Sequence, residues 1–237
     1  MFTINHVSKV YSGGRGLFDF SLSCPAGSIT AVIGPNGAGK STLFDSINGL
    51  KKPDSGSFML DNILLSDVKP CSMGFLPEAN FLINHLTAEQ MVNYILQMKN
   101  VPIVHDEIQY FVNGFSLQNR MNQKISSLSQ GLKKRVAIMC AVIGKPELIV
   151  LDEPLNALDI QSVFFLKELL LSKKNTNCHI LISSHVLSFL DGLVTQSVFL
   201  KNGRIEYIAN NNDISSLEQI YKEVYHIENQ ENKDANN

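Results

Sequence analysis

The chain has 237 residues, 44% of them hydrophobic and 18% charged, enough apolar material for a buried core and close to average globular usage. A formal net charge of −2 and a pI near 6.3 provide no basic footprint for neutralising a phosphate backbone, so nucleic acid is not an expected partner. The four cysteines, Cys24, Cys71, Cys140 and Cys178, form no CxxC pair, which excludes the usual zinc and dithiol motifs, and no apolar run approaches the ~18 residues of a spanning helix.

In chain order, Phe18, Phe20 and Leu22 alternate with Asp19, Ser21 and Ser23, the period of a half-buried strand, and Pro25-Ala26-Gly27 turns the chain. Ile29–Ile33 is a short apolar strand ending in glycine, and Leu43, Ile47 and Leu50 have helical spacing over 41–50. Asp61-Asn62 sits as a tight turn between apolar segments over 57–65. The middle, 87–143, reads as mainly helical: Thr87 with Gln90 fits a capping box, Val92, Ile95, Leu96 and Lys99 continue a helical pattern, and Val136, Met139, Cys140 and Ile143 mark a second helix.

Alternation returns with an apolar strand over 148–151, a helix near 163–171, a short strand over 179–183 and a hairpin at Asn202-Gly203. A last amphipathic helix carries Leu217, Ile220, Tyr221 and Val224, and the polar stretch 228–237 is expected to be frayed. No internal repeat is present, so one unit over 1–227 is expected.

Gly34-Pro35-Asn36-Gly37-Ala38-Gly39-Lys40-Ser41 matches GxxxxGK[ST] between a predicted strand and a predicted helix, the context this phosphate loop requires. Glycines let successive backbone N–H groups face phosphate oxygens, and the helix beginning there adds its dipole. Lys40 is expected to bring charge to the β- and γ-phosphates of a nucleotide, and the Ser41 hydroxyl to ligate Mg²⁺, a cradle shared by kinases, GTPases, motor proteins and transporters. The apolar run 148–151 ends in Asp152-Glu153-Pro154, at the strand end where doubly wound sheets hold ligands. Asp152 is expected to meet the magnesium ion and Glu153 to orient an attacking water.

Several further segments carry a family resemblance. Leu128-Ser129-Gln130-Gly131-Leu132 resembles the signature of ABC ATPases, Leu155-Asn156-Ala157-Leu158-Asp159 their D-loop, and Ser183-Ser184-His185 their switch histidine. Gly74-Phe75-Leu76-Pro77-Glu78 is similar in place to their Q-loop, and Tyr11 to the aromatic residue that stacks on adenine.

The resemblance implies an α/β fold: a P-loop NTPase core with a mainly parallel sheet, an N-terminal antiparallel β-subdomain and a helical subdomain inserted at about 79–144. It implies an ATPase subunit of an ABC transporter using ATP and Mg²⁺. Glu153, His185 and Glu78 take catalytic places; Tyr11, the phosphate loop and Thr42 bind nucleotide; and Ser41, Asp152 and Glu78 surround the metal. Ser129 and Gly131 then act on the ATP of a second cassette, identical or different, while segments between Phe75 and Lys99 dock transmembrane permease subunits at the inner face of the cell membrane. Two positions depart from the usual LSGGQ, Gln130 for glycine and Leu132 for glutamine, and Glu78 replaces the commoner glutamine, a feature of export-type subfamilies.

Overall fold

The computed structural model describes residues 1–76, 81–210 and 216–227. Strand β1 (Phe2–Val10) is followed by β2 (Gly16–Cys24), β3 (Ile29–Ile33), α1 (Lys40–Ile47), β4 (Ser55–Leu60), β5 (Ile63–Leu64) and β6 (Met73–Leu76). Three helices follow, α2 (Ala88–Met98), α3 (His105–Gly114) and α4 (Gln130–Val142). Alternation resumes with β7 (Leu148–Leu151), α5 (Ile160–Lys174), β8 (His179–Ser183), α6 (Leu187–Leu190), β9 (Gln196–Lys201), β10 (Arg204–Asn210) and α7 (Leu217–Tyr225).

Two sheets result. One is antiparallel, in the order β2-β1-β4-β5; the other has six strands in the order β10-β9-β3-β8-β7-β6, parallel throughout except at the β9–β10 hairpin. The central strands β3, β7 and β8 are buried at every position, which is why their sequences read as continuous apolar runs. Side chains alternate across them. Ile29, Ala31, Ile33, Ile149, Leu151, Ile180 and Ile182 enter a core shared with α2, α4 and α5. Val32, Leu148, Val150 and Leu181 face the other way, into a core shared with α1 and the antiparallel sheet.

The capping box at Thr87 and Gln90 is present, with Gln90 N–H donating to Thr87 Oγ1 at 3.2 Å and Thr87 N–H to Gln90 Oε1 at 2.9 Å. Lys99 does not extend α2. It caps the helix, Asn100 follows at φ 52, and the Lys99 ammonium turns inward to the Cys140, Ala141 and Ile143 carbonyls at the end of α4 (3.1, 3.2 and 3.4 Å). The helix expected to reach Leu50 stops at Ile47, and Ile143 lies just past α4. Asp61 and Asn62, at φ 49 and 66, form the expected turn between β4 and β5.

Strand β1 was not expected. It pairs with both β2 and β4, but His6 at φ 48 interrupts its register, so its buried residues Phe2, Ile4 and Val7 depart from strict alternation. The polar stretch 228–237 lies outside the described residues.

Candidate nucleotide site

Parallel strands deliver their carboxyl ends to one edge of the sheet, and the predicted chemistry gathers there. The phosphate loop follows β3, Asp152 and Glu153 follow β7, and His185 follows β8, which lies between β3 and β7.

The loop's shape depends on two left-handed glycines. Gly37 (φ 81) faces open space, whereas Gly39 (φ 110) caps α1 with a Cβ position 3.3 Å from both Gly16 O and Gly203 Cα. Beneath it, the β9–β10 turn is bonded to the loop: Gly203 N–H donates to Ala38 O (2.8 Å) and Phe18 N–H to Gly203 O (2.8 Å). A Cβ on Gly203 would lie 2.1 Å from Gly16 O, so three glycines distant in sequence meet backbone to backbone. The Lys40 ammonium, in a residue only 8% exposed, donates to Gly34 O at 2.7 Å and to Pro35 O at 3.3 Å, which holds it across the loop.

The acidic pair is organised from β8. Ser183 Oγ donates to Asp152 Oδ1 and accepts the Glu153 N–H at 2.8 Å. Asp152 is wholly buried, and its own N–H donates to Leu76 O at 2.8 Å. Glu153 adopts φ 44, unfavourable for a residue with a side chain, and its carboxylate meets His185 Nδ1 at 2.9 Å; the Glu153 side chain is 12% exposed and that of His185 63%. A nearly buried carboxylate paired with an accessible imidazole suits positioning a water or a phosphate oxygen at the cleft.

These groups surround a cleft of about 690 Å³, within the range of small-molecule sites. Its lining includes Tyr11, Gly34, Pro35, Asn36, Gly37, Gly39, Lys40, Ser41, Thr42, Glu153 and His185. Tyr11 carries the Lys51 ammonium 5.5 Å from its ring centroid, and Lys51 also pairs with Asp45 at 2.8 Å. Ala38 does not line the cleft: its side chain is buried in the core beside α1 and its N–H donates to Pro35 O at 3.1 Å. Asp152 lies beneath the cleft lining, and Glu78 lies outside the described residues. The lining also includes Arg15, Gly16, Asn156 and Tyr221, which the sequence reading did not select as binding residues. Arg15 stands in a polar turn and Tyr221 on a distant helix, so neither carries a local signal.

Ser129, Gly131 and Asp159 do not line this cleft, whereas Asn156 of the D-loop does, and the signature and D-loop segments touch each other. Ser129 caps α4, accepting the Leu132 N–H at 3.3 Å, and a Cβ on Gly131 would lie 2.6 Å from Ala157 O. Asp159 caps α5 through the Ser162 N–H (2.9 Å) and pairs with Arg135 of α4 at 2.7 Å. Hydrogen bonds from the Ser162 hydroxyl and N–H, followed by Arg135, hold the Asp159 carboxyl below its usual range. Arg135 also donates to Phe115 O at 3.0 Å, and Leu132 packs on the chain's own core.

Among the described residues no cluster of three or more His, Cys, Asp or Glu side chains could hold a metal unaided. The hydroxyl of Ser41 and the carboxylate of Asp152 are hard oxygen donors of the type Mg²⁺ prefers, and such a set is completed by phosphates. No helix among the described residues is long and apolar enough to cross a membrane.

The chain resembles known proteins over most of its length. The lantibiotic transport ATP-binding protein SrtF of Streptococcus pyogenes is 30% identical over 221 residues, covering 93% of this chain and 96% of the relative. The SkfA peptide export ATP-binding protein SkfE of Bacillus subtilis is 29% identical over 205 residues, covering 85% and 86%. A solved structure described as the ATP-binding subunit of an ABC transporter superposes with a TM-score of 0.86 at 27% identity, covering 95% of this chain and 99% of that one. The family model described as ABC transporter matches residues 17–156, and the chain therefore belongs to the ABC transporter family as one of its ATP-binding, ATPase subunits.

Proposed function

We propose that this subunit drives export of a peptide-type substrate through separate membrane subunits, and that its catalytic cycle requires a second cassette placed face to face with it. One observation carries the pairing: the phosphate loop, Glu153 and His185 share a cleft whose lining includes neither Ser129 nor Gly131. A serine-capped helix N-terminus is an anion site, and from its place outside the chain's own cleft it serves the ATP of a neighbouring chain. The peptide class and the outward direction rest on SrtF and SkfE.

Within one chain, Lys40 binds the β- and γ-phosphates, exchanging its loop carbonyls for phosphate oxygens. Ser41 and Asp152 would hold Mg²⁺, which when bound supplies charge against the phosphates. Glu153 orients the lytic water, and His185, bonded to it, contacts the γ-phosphate. Pairing is sensed by Asp159 and Gly131, because both join the signature helix to the segment that follows Glu153.

An apolar groove of about 310 Å³ between Leu50, Met73, Phe75, Phe81, Ile95 and Met98 supports docking of a short membrane-subunit helix at the inner face of the membrane. Closure of two cassettes over ATP then moves the permease.

The test is sedimentation of the parent and of Glu153→Gln with ATP and Mg²⁺. Slow cleavage in Glu153→Gln is expected to accumulate a dimer that the parent forms only transiently. ATP binding without dimerisation of either protein rejects self-pairing and leaves a different cassette as the partner.

A further inference from the structure

We propose that the C-terminal helix α7 belongs to the nucleotide site, with Tyr221 a further binding residue at the phosphate end of the cleft and Tyr225 a positioning residue at the root of the phosphate loop. The proposal rests on the nucleotide reading above and extends it to a helix that lies outside the family match at 17–156.

Helix α7 is held in place independently of the cleft. Ser216 and Gln219 form a reciprocal capping box (3.3 and 3.2 Å), and Leu217 and Ile220 are buried in the core that also takes Phe199 and Leu190. Tyr221 and Tyr225, one turn apart with ring centroids 4.5 Å from each other, lie along the flank of the same apolar face and pack partly buried against that core.

Tyr225 reaches the loop's first residues. Its hydroxyl donates to Leu200 O at 2.7 Å and lies 3.4 Å from Ile33 O, the last carbonyl of β3. A Cβ on Gly34 would stand 2.6 Å from Leu200 O and 3.4 Å from the same hydroxyl. A side chain at Gly34 would thus clash with the Leu200 carbonyl to which the phenol donates. Burial raises its pKa, so it remains a donor at any physiological pH.

Tyr221 lines the same cleft as Gly34, Pro35, Asn36, Lys40 and His185. Its neighbour Tyr225 is anchored at Ile33 and Leu200, whereas Tyr11 is flanked by Lys51 and by Arg15. Tyr11 keeps the adenine place that the family resemblance implies, and Tyr221, packed on the anchored ring of Tyr225, therefore stands at the Gly34 end of the cleft. A neutral phenol there offers a phosphate oxygen one hydrogen bond without adding charge beside Glu153.

Calorimetric titration of the full chain with the magnesium complexes of β,γ-imido-ATP and of ADP tests this. Tyr221→Ala is expected to weaken β,γ-imido-ATP about tenfold and ADP less than about threefold, with Tyr221→Phe losing a smaller part of the same difference. Tyr225→Phe is expected to weaken both nucleotides by a similar factor, because it loosens the loop and not a phosphate contact. Unchanged β,γ-imido-ATP affinity in both Tyr221 variants, or equal losses for the two nucleotides, overturns the proposal; if Tyr221→Ala fails to fold, Tyr221→Phe alone decides. Failure of the parent to bind either nucleotide rejects the underlying nucleotide reading, and this inference with it.

Discussion

Asp159 makes two separable contributions, and two substitutions separate them. Oδ1 caps α5 at Ser162 N–H (2.9 Å), and Oδ2 pairs with Arg135 (2.7 Å). Loss of a cap to alanine costs about 1 kcal/mol. The ion pair, with the Asp159 side chain 51% exposed, is screened and contributes no more than about 0.5–1 kcal/mol. Asp159→Ala should therefore lower stability by about 1–2 kcal/mol, a fall in melting temperature of roughly 2–8 °C for a chain of this size. Asp159→Asn keeps the cap, since asparagine caps as well as aspartate, and should lose no more than about 1 kcal/mol.

The carboxyl's pKa is lowered in the fold, so its stabilisation is present above the unfolded value and is lost as pH falls through it towards the folded value. Parent and Asp159→Asn should thus begin to converge in stability as pH falls below about 4, and meet below the folded value. Urea titrations of the three proteins at pH 7 and in the acid range provide the measurement. Equal losses in Asp159→Asn and Asp159→Ala at pH 7 would refute the cap as the larger contribution, and a gap that persists in acid would refute the ionised carboxylate as its source.

The Gly131→Ala variant forces a methyl against Ala157 O, 2.6 Å from the new Cβ position, and should cost about 1–3 kcal/mol by denaturant titration even in an isolated cassette. A loss below ~0.5 kcal/mol would show that the two loops separate freely. For Lys99, burial lowers the ammonium pKa from 10.5 to about 8. Between those values the unfolded chain binds more protons, so the parent should gain stability relative to Lys99→Met as pH rises through that window; a constant difference from pH 7.5 to 9.5 contradicts it. In steady-state assays, Glu153→Gln should lower ATP turnover by about 10²-fold or more while ATP still binds, as for loss of a group that positions the nucleophile.

Much of the site was legible because its signals are local. The phosphate loop lies between an apolar strand and a helix within 20 residues, and β7 and β8 announce themselves as fully buried runs ending in Asp152 and Ser183. What escaped depends on contacts remote in sequence or on irregular backbone. Strand β1 hides behind its bulge at His6. Strand β6 is short and merged with the segment expected to form the Q-loop. Tyr221 was read as one apolar position of an amphipathic helix, and nothing in its neighbourhood indicates that the next turn bonds to a carbonyl 192 residues away. Gln130 and Leu132 depart from the usual signature, yet Leu132 packs on the chain's own core, so its apolar character has a local cause.

The meeting of Gly16, Gly39 and Gly203 beneath the phosphate loop bears on how the molecule tolerates engineering. Asn202-Gly203 is a tight surface hairpin of the kind ordinarily chosen for inserting a label or an affinity tag. In this cassette the hairpin is a footing of the phosphate loop, because Gly203 N–H holds Ala38 O and its carbonyl holds Phe18. A tag placed there would reach the ATP site through backbone alone, leaving every recognisable motif intact while weakening the nucleotide it was meant to report.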